Sequence, residues 1–396
     1  MHIVKRVGSL AAAAVLVVAC QAGTSPTNAP TTSPTNAPTA ASSQGGASQA
    51  TGAIAPKNGS QYVVGWSPIS DPVDPTRTTF DNEIKAPIEA LGTKYLYCSA
   101  ANDPTKQAGC VDSFITQNAD AIIVWPVDLV AIQDSIKKAN AANIPVFVFF
   151  GKIDASSGAK VMLSVASAGV AASKNAGEYI ISALTKKYGT AKGTVLEVGG
   201  TQTQLDGIMR HVGFANVMSQ YPDVKVTTKD ASWDASKAAT IIQDWLTANP
   251  NTDAIYSGTD CSYLPDEVLK SLNRWVKIGD PKWIAFTGMD GCNQMLWDIK
   301  CGYHEQTTDI GYAALPRALG NAVANYLKTG QLPKAGDTIQ TGNPTFKTAS
   351  VAQDDGVSGP TLSIDPVIVT AANVADPELN GNKFMQSPNG LGPACS

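Results

Sequence analysis

The chain has 396 residues, 29 basic against 33 acidic side chains, three histidines, seven cysteines and 43% apolar residues. A net charge of −4 provides no basic footprint for nucleic acid, and the composition is that of a globular rather than a disordered chain, long enough for two domains. Only the N-terminal twenty residues form a membrane-directed apolar run, which excludes a multi-span channel or permease.

Lys5 and Arg6 precede an apolar run from Val7 to Ala19, too short to span a bilayer comfortably and shaped like a signal peptide. Its end, Leu16-Val17-Val18-Ala19-Cys20, resembles the lipobox of bacterial lipoprotein signal peptides. The resemblance implies a leader at 1–19, cleavage before Cys20 and a diacylglycerol on its thiol. The alternative is an ordinary secretory signal with an incidental cysteine. Residues 20–60 read as a linker: 21–56 carry no charge, and Thr-Ser-Pro-Thr-Asn-Ala-Pro occurs at 24–30 and again at 32–38. Such a segment cannot bury enough apolar surface to offset its ordering entropy, so an extended tether is expected.

Six cysteines remain: Cys98, Cys110, Cys261, Cys292, Cys301 and Cys395. An even number in an exported chain points to up to three disulfides. Cys98 and Cys110 bracket a short strand-to-helix loop and are the expected local pair; the other four allow three pairings. There is no CxxC motif, so neither a zinc ribbon nor a thioredoxin-like site is expected.

From Tyr62 onward, strand-length apolar runs alternate with segments of helical period. Strands are expected at Tyr62–Trp66, Lys94–Cys98, Ala121–Trp125 and Val146–Phe150, with helices near Thr79–Leu91, Thr105–Gln117 and Leu129–Ala142. A second round adds strands Lys160–Val165, Thr194–Val198, Val224–Thr228, Ala254–Ser257 and Trp283–Thr287. Its helices are Ala171–Lys187, Leu205–Ser219, Ser236–Ala248, Pro265–Leu272, Asn293–Ile299 and Tyr312–Leu327. The Gly/Pro-rich remainder reads as strands and loops. Continuous apolar strands such as Ala121–Trp125 fit parallel sheets covered on both faces, so the fold class is α/β with two doubly wound lobes. Ligands in such sheets sit outside the carboxyl ends of the strands.

Catalytic signatures are scarce. Only His211 and His304 follow the leader, and no G-x-S-x-G, H-E-x-x-H, G-x-G-x-x-G or Walker A pattern occurs. No enzyme activity, cofactor or metal site is expected, although carboxylate-only hydrolysis stays open.

Several blocks in one order, from Tyr62 to about Pro333, resemble the ribose-type periplasmic-binding-protein family, the solute receptors of bacterial sugar ABC transporters. They include Ala142-Asn143-Ile144-Pro145-Val146, Lys174-Asn175-Ala176-Gly177-Glu178 and Arg210-His211-Val212-Gly213-Phe214. Ser232-Trp233-Asp234, Asn249-Pro250-Asn251-Thr252-Asp253 and Gly288-Met289-Asp290-Gly291 continue them. The resemblance implies a first lobe at 61–164 with a return segment near 307–335. It implies a second lobe at 165–306 with a C-terminal segment near 336–396, the two joined by a hinge.

Candidate ligand residues follow from residue type and place. Arg210 offers a planar fork to two oxygens, and Asp290 accepts from adjacent hydroxyls. Trp233 and Tyr263 offer faces for sugar C–H groups. Thr259 and Asp260 end a strand, where helix capping competes with binding. Ser67 and Asp71 fill the loop after the first strand, and Trp66 ends that strand. Near the second hinge crossing, counting back from Gly311 favours Glu305 while residue type favours Gln306. One departure stands out: the family's Asp-Arg pair after the fourth strand is replaced by Phe149-Phe150-Gly151-Lys152, which puts Phe150 at the site and argues against ribose itself. The expected function is capture of a small sugar or polyol by a lipid-anchored extracytoplasmic monomer for an ABC permease. A sensor receptor for a membrane kinase or chemoreceptor is the alternative.

Overall fold

The computed structural model describes residues 54–72, 75–312, 314–384 and 395. The expected leader, Cys20 and most of the 20–60 linker lie outside the described residues. Strands β1 (Val63–Ser67), β2 (Lys94–Tyr97), β3 (Ala121–Val124), β4 (Val146–Phe149) and β5 (Leu163–Ser167) enclose helices α1 (Pro75–Glu89), α2 (Pro104–Thr116) and α3 (Ile132–Ala141). Every residue of β1, β3, β4 and β5 is buried, as continuous apolar strands covered on both faces require. Local signals fix the ends. Asp103 caps α2 by accepting from the Thr105 and Lys106 amides at 2.8 and 3.3 Å, with Pro104 at the first helical position. Asp120 accepts from the amides of Lys57 and Val63, each at 2.7 Å, and so pins the start of β1.

The second round runs α4 (Gly169–Tyr188), β6 (Gly193–Gly199), α5 (Leu205–Met218), β7 (Val224–Asp230), α6 (Ala235–Ala248) and β8 (Ala254–Ser257). It continues through α7 (Asp266–Ser271), β9 (Ala285–Thr287), α8 (Asn293–Lys300), β10 (Gln306–Asp309) and α9 (Leu315–Thr329). Four of its strands form a parallel sheet in the order β7-β6-β8-β9. Helix α9 turns back onto α1, and the approach is close: a Cβ on Gly320 would lie 2.4 Å from the Ile84 carbonyl oxygen.

The remainder forms β11 (Thr338–Gln340), β12 (Thr348–Ala352), β13 (Thr361–Ile364), β14 (Val367–Thr370) and α10 (Asn380–Phe384). The segment beyond 336, expected in the second lobe, divides between the two lobes. β13 pairs in parallel with β5, and β12 and β11 add antiparallel strands outside it, giving the order β11-β12-β13-β5-β4-β3-β1-β2. They cover the edge that β5 would otherwise expose, and edge coverage decides where such short strands go. Only β14 and α10 return to the second lobe, where β14 pairs antiparallel with β10. The chain therefore crosses between lobes at 167–169, 309–315 and 364–367. The structure pairs Cys98 with Cys110, Cys261 with Cys292 and Cys301 with Cys395, at Cα separations of 5.7, 5.1 and 5.2 Å.

The Arg-His-Val-Gly-Phe block has a packing logic. A Cβ on Gly213 would lie 2.2 Å from the Val170 carbonyl oxygen, so glycine there lets α5 press on α4. One residue on, Phe214 stacks against Tyr256 at 4.2 Å. Gly213→Val should lower stability by about 1–3 kcal/mol through overpacking. Urea unfolding measures this, and an unchanged midpoint would show that the helix contact has slack.

Candidate functional site

A cavity of about 130 Å³ lies where the carboxyl ends of both sheets face each other. Ile69 after β1, Arg77 and Phe80 on α1, and Trp125 after β3 form the first lobe's wall. Opposite stand Gln204 and Asp206 at the start of α5, Arg210 one turn on, Trp233 after β7, Thr259 after β8 and Asp290 after β9. Tyr312, on the middle crossing, closes the base. Strand polarity alone gathers these residues, because each loop leaves a parallel strand at the same end.

Arg210 organises the second wall. Its Nη1 donates to the Gly258 carbonyl and, at 3.2 Å, to Asp290 Oδ2. Its Nη2 lies 3.0 Å from Asp290 Oδ1 and donates to the Tyr312 hydroxyl at 3.0 Å. The Thr259 hydroxyl donates to Asp290 Oδ2 at 2.5 Å. Burial works against the guanidinium charge, but Asp290, Tyr312 and Asp206 outweigh it and hold the Arg210 pKa well above its ordinary value. Asp206 sits four residues before Arg210, hence on the same helix face. Burial raises its carboxyl, against the pull of Arg210 and a 3.1 Å hydrogen bond from Ser167. Arg210 Nε is buried and has no hydrogen-bond partner among the described residues.

One aromatic group comes from a strained turn. Trp233 has φ 60° and its neighbour Ser232 φ 54°, a left-handed pair that displays the indole to the cavity. The ring is fixed by donation to Gln204 Oε1 at 2.8 Å, with the Arg210 guanidinium over it at 5.5 Å. Across the cavity, Arg77 lies 4.9 Å from the Trp125 ring centre and donates to the Ser70 hydroxyl at 3.1 Å.

Of the residues expected from sequence, the structure brings Arg210, Asp290, Trp233 and Thr259 together at the cavity. Others stand behind it. Tyr263 stacks behind Trp233 at 6.4 Å and is almost wholly buried. Phe150 packs at the back of the first wall against Phe80, Trp125 and Tyr312. Asp260 ties its loop to the turn after β9, accepting from the Gly291 and Cys292 amides at 3.2 and 2.9 Å and from the Thr307 hydroxyl. Burial pushes its carboxyl well above the usual range.

Trp66 belongs to the core, its indole donating to Asp81 at 2.8 Å, and Ser67 is fully buried beside it. Asp71 is exposed and accepts from the Tyr97 hydroxyl at 3.1 Å. Neither candidate of the hinge pair faces the cavity. Gln306 begins β10 and Glu305 precedes it, 3.8 Å from Lys186, at the opposite end of the second lobe's strands. The strand's carboxyl end instead delivers Asp309 and then Tyr312. Lys152 is drawn to Asp354 at 2.7 Å.

Sequence reasoning missed Arg77, Phe80, Gln204, Asp206 and Tyr312. For Asp206, the spacing of four from Arg210 was a usable signal; the other four depend on how the lobes meet.

Two facing α/β lobes with a polar cavity at their strand tips define a solute-receptor architecture. The family model for the periplasmic binding protein domain matches residues 64–332, and the chain belongs to this family of binding proteins. The ribose import binding protein RbsB of Bacillus subtilis is 30% identical over 244 residues, covering 61% of this chain and 74% of that protein. The D-apiose import binding protein of Paraburkholderia graminis is 26% identical over 254 residues, covering 62% and 75%. Among solved structures, a galactofuranose binding protein superposes with a TM-score of 0.64 at 20% identity, over 82% of this chain and 99% of that one. The Caulobacter myo-inositol binding protein, with myo-inositol bound, does so with 0.64 at 19%, over 81% and 96%. At these identities the solved structures establish the fold.

Asp290→Ala leaves Arg210 buried without its counter-ion and should destabilise the protein by about 3–5 kcal/mol, read by denaturant unfolding; a loss below about 1 kcal/mol would contradict the pairing. Asp309 supplies a pH test. Burial pushes its carboxyl from 3.8 up to about 7, although the Asn380 and Gly311 amides pull the other way. Its folded-state pKa lies above the unfolded one, so its contribution is full below about 4 and is lost as pH rises through about 7. Stability profiles from pH 4 to 8 should flatten in Asp309→Asn, even though that variant is less stable throughout. A slope identical to the parent's would remove Asp309 as the titrating group.

Proposed function

We propose that this chain is an extracytoplasmic receptor that captures a small sugar or polyol between its lobes and presents it to an ABC permease. The carrying observation is the cavity itself: hydrogen-bonding groups on one wall, aromatic faces beside them, and a buried Arg210 Nε with no partner among the described residues. A polyhydroxylated ring suits this pairing, since its hydroxyls meet Arg210, Asp206, Asp290 and Thr259 while its C–H face lies on Trp233 or Trp125. The names of the relatives, which bind ribose or D-apiose, support the ligand class. In this reading Cys20 carries the lipid anchor, residues 20–60 are the tether, the three cysteine pairs are disulfides, and the protein works as a monomer without cofactor or covalent chemistry. Among the described residues no helix is long and apolar enough to cross a membrane.

Closure then follows from differential affinity. Contacts to both walls exist together only when the lobes face each other, and a solute that makes them shifts the population toward that state. Arg210→Ala is a poor probe of this, because it strands Asp290 as well as removing a ligand contact. Trp233→Ala is cleaner. A thermal-shift screen of sugars, polyols, nucleosides and amino acids should give a rise in midpoint with a sugar or polyol. Intrinsic fluorescence should respond to the same compound, since Trp125 and Trp233 line the cavity. Trp233→Ala should weaken that binding by about 1–2 kcal/mol. Stabilisation by amino acids or nucleosides alone would overturn the ligand class.

A further inference from the structure

Away from the cavity, one buried cluster holds more polar atoms than partners. Asp266 opens α7, Asp298 lies on α8, and His304 precedes β10; their exposures are 5%, 0% and 2%. One ligand atom from each lies within 4.8 Å of the other two, and His304 Nε2 is 3.6 Å from Asp266 Oδ1. Apart from a proton that Asp266 and Asp298 can share, Asp266 Oδ1, Asp298 Oδ2 and both His304 ring nitrogens have no hydrogen-bond partner among the described residues. Buried polar atoms are almost always satisfied, so one such atom from each of three residues in one place calls for a shared partner. The nearby Lys270 does not supply it, since its ammonium is drawn to Glu267 at 2.7 Å.

The geometry points to a divalent transition-metal site in the second lobe, with Asp266, Asp298 and His304 as ligands and Zn²⁺ as the best-suited ion. An imidazole nitrogen selects against Ca²⁺ and Mg²⁺, which take oxygen ligands, while one imidazole with two carboxylates suits Zn²⁺. Two carboxylates also neutralise the dication, which a buried site requires. Tetrahedral zinc sets neighbouring ligand atoms about 3.3 Å apart, close to the His304–Asp266 separation.

The surroundings hold the ligands in place. Gln294 donates to Asp298 Oδ1 at 3.0 Å, and the His304 ring lies 4.8 Å from Phe286 and edge-on to Trp275 at 5.5 Å. His304 also borders a surface cavity of about 450 Å³ beside Ile299 and Thr370, which gives an ion an access path. Neither spacing nor histidine count betrays such a site in sequence, because its ligands come from three separate elements. Occupied, it would brace α7, α8 and the start of β10 behind the loops that carry Thr259 and Asp290. It does not depend on what the cavity binds.

The test uses untagged protein, stripped with chelator in the absence of thiol reductant and then dialysed against zinc. Elemental analysis should return one zinc per chain, zinc should raise the thermal midpoint without any sugar, and Co²⁺ should give the visible absorption of a low-coordinate ion. His304→Gln and Asp298→Asn, checked for folding by circular dichroism, should each lose the stoichiometric metal. Zinc retained by both folded variants would place the ion elsewhere and overturn the assignment. Should the variants fail to fold, the unaltered protein decides. Without stoichiometric zinc or a cobalt spectrum, the carboxylates share a proton and there is no metal site.

Discussion

A guanidinium and a carboxylate shut away from water at the base of the cavity set terms for what surrounds them. A buried ion pair holds best when its remaining donors and acceptors are met. Gly258 and Thr259, directly after β8, and Tyr312 on the middle crossing meet most of those of Arg210 and Asp290, so one charge pair needs these two segments in register with α5 and the end of β9. Behind it, the Tyr256 hydroxyl donates to the Arg210 carbonyl at 3.0 Å, and Phe214 stacks on the same ring. The packing of α5 on α4 through Gly213 therefore acts on the site by aiming Arg210.

Backbone strain marks the same region. Among the non-glycine residues with positive φ, Phe150 (47°), Trp233 (60°) and Asp290 (94°) follow β4, β7 and β9, at the ends that face the cavity. Such conformations cost of order 1–3 kcal/mol each and persist where neighbours over-determine them. Phe150 is held by Phe80, Phe149, Trp125 and Tyr312. That aromatic block stands where the resembled family carries its Asp-Arg pair. Among the described residues, the first wall consequently offers a hydrocarbon surface and a single guanidinium, Arg77, while hydrogen bonding is concentrated on the second.

Much of this was legible in the chain. Buried parallel strands have no polar face, so β1, β3 and β4 stood out as unbroken apolar runs, and the loops at their tips followed from polarity. Arg210, Trp233 and Asp290 could be named because each sits in a short block resembling the family's, and Thr259 because it follows a strand end. Side-chain direction was harder. Trp66 and Ser67 occupy the end of β1 and point to opposite faces, yet both are buried because both faces of the sheet are covered. Asp260 illustrates the competition between roles: a carboxylate at a strand end can bind a solute or cap the next helix, and here it does neither, because the Gly291 and Cys292 amides of the turn after β9 claim it. The strands from 338 to 364 are three to five residues long; with so little periodicity, only the open edge of β5 could decide their sheet.

The crossings connect site and hinge without a separate relay. Ser167, at the first crossing, donates to Asp206; Tyr312, at the second, accepts from Arg210; and Asp309, which begins that crossing, accepts from the Gly311 and Asn380 amides. In the proposed reading, a solute that draws on Asp206 and Arg210 draws on residues already bonded to the segments that must rotate. The coupling is then an equilibrium property: the same hydrogen bonds that orient the binding groups bias the dihedrals of the crossings, and a solute acts to the extent that it favours one set over the other. A rigid second wall helps, because motion absorbed by a yielding Arg210–Asp290 pair would not reach the crossings.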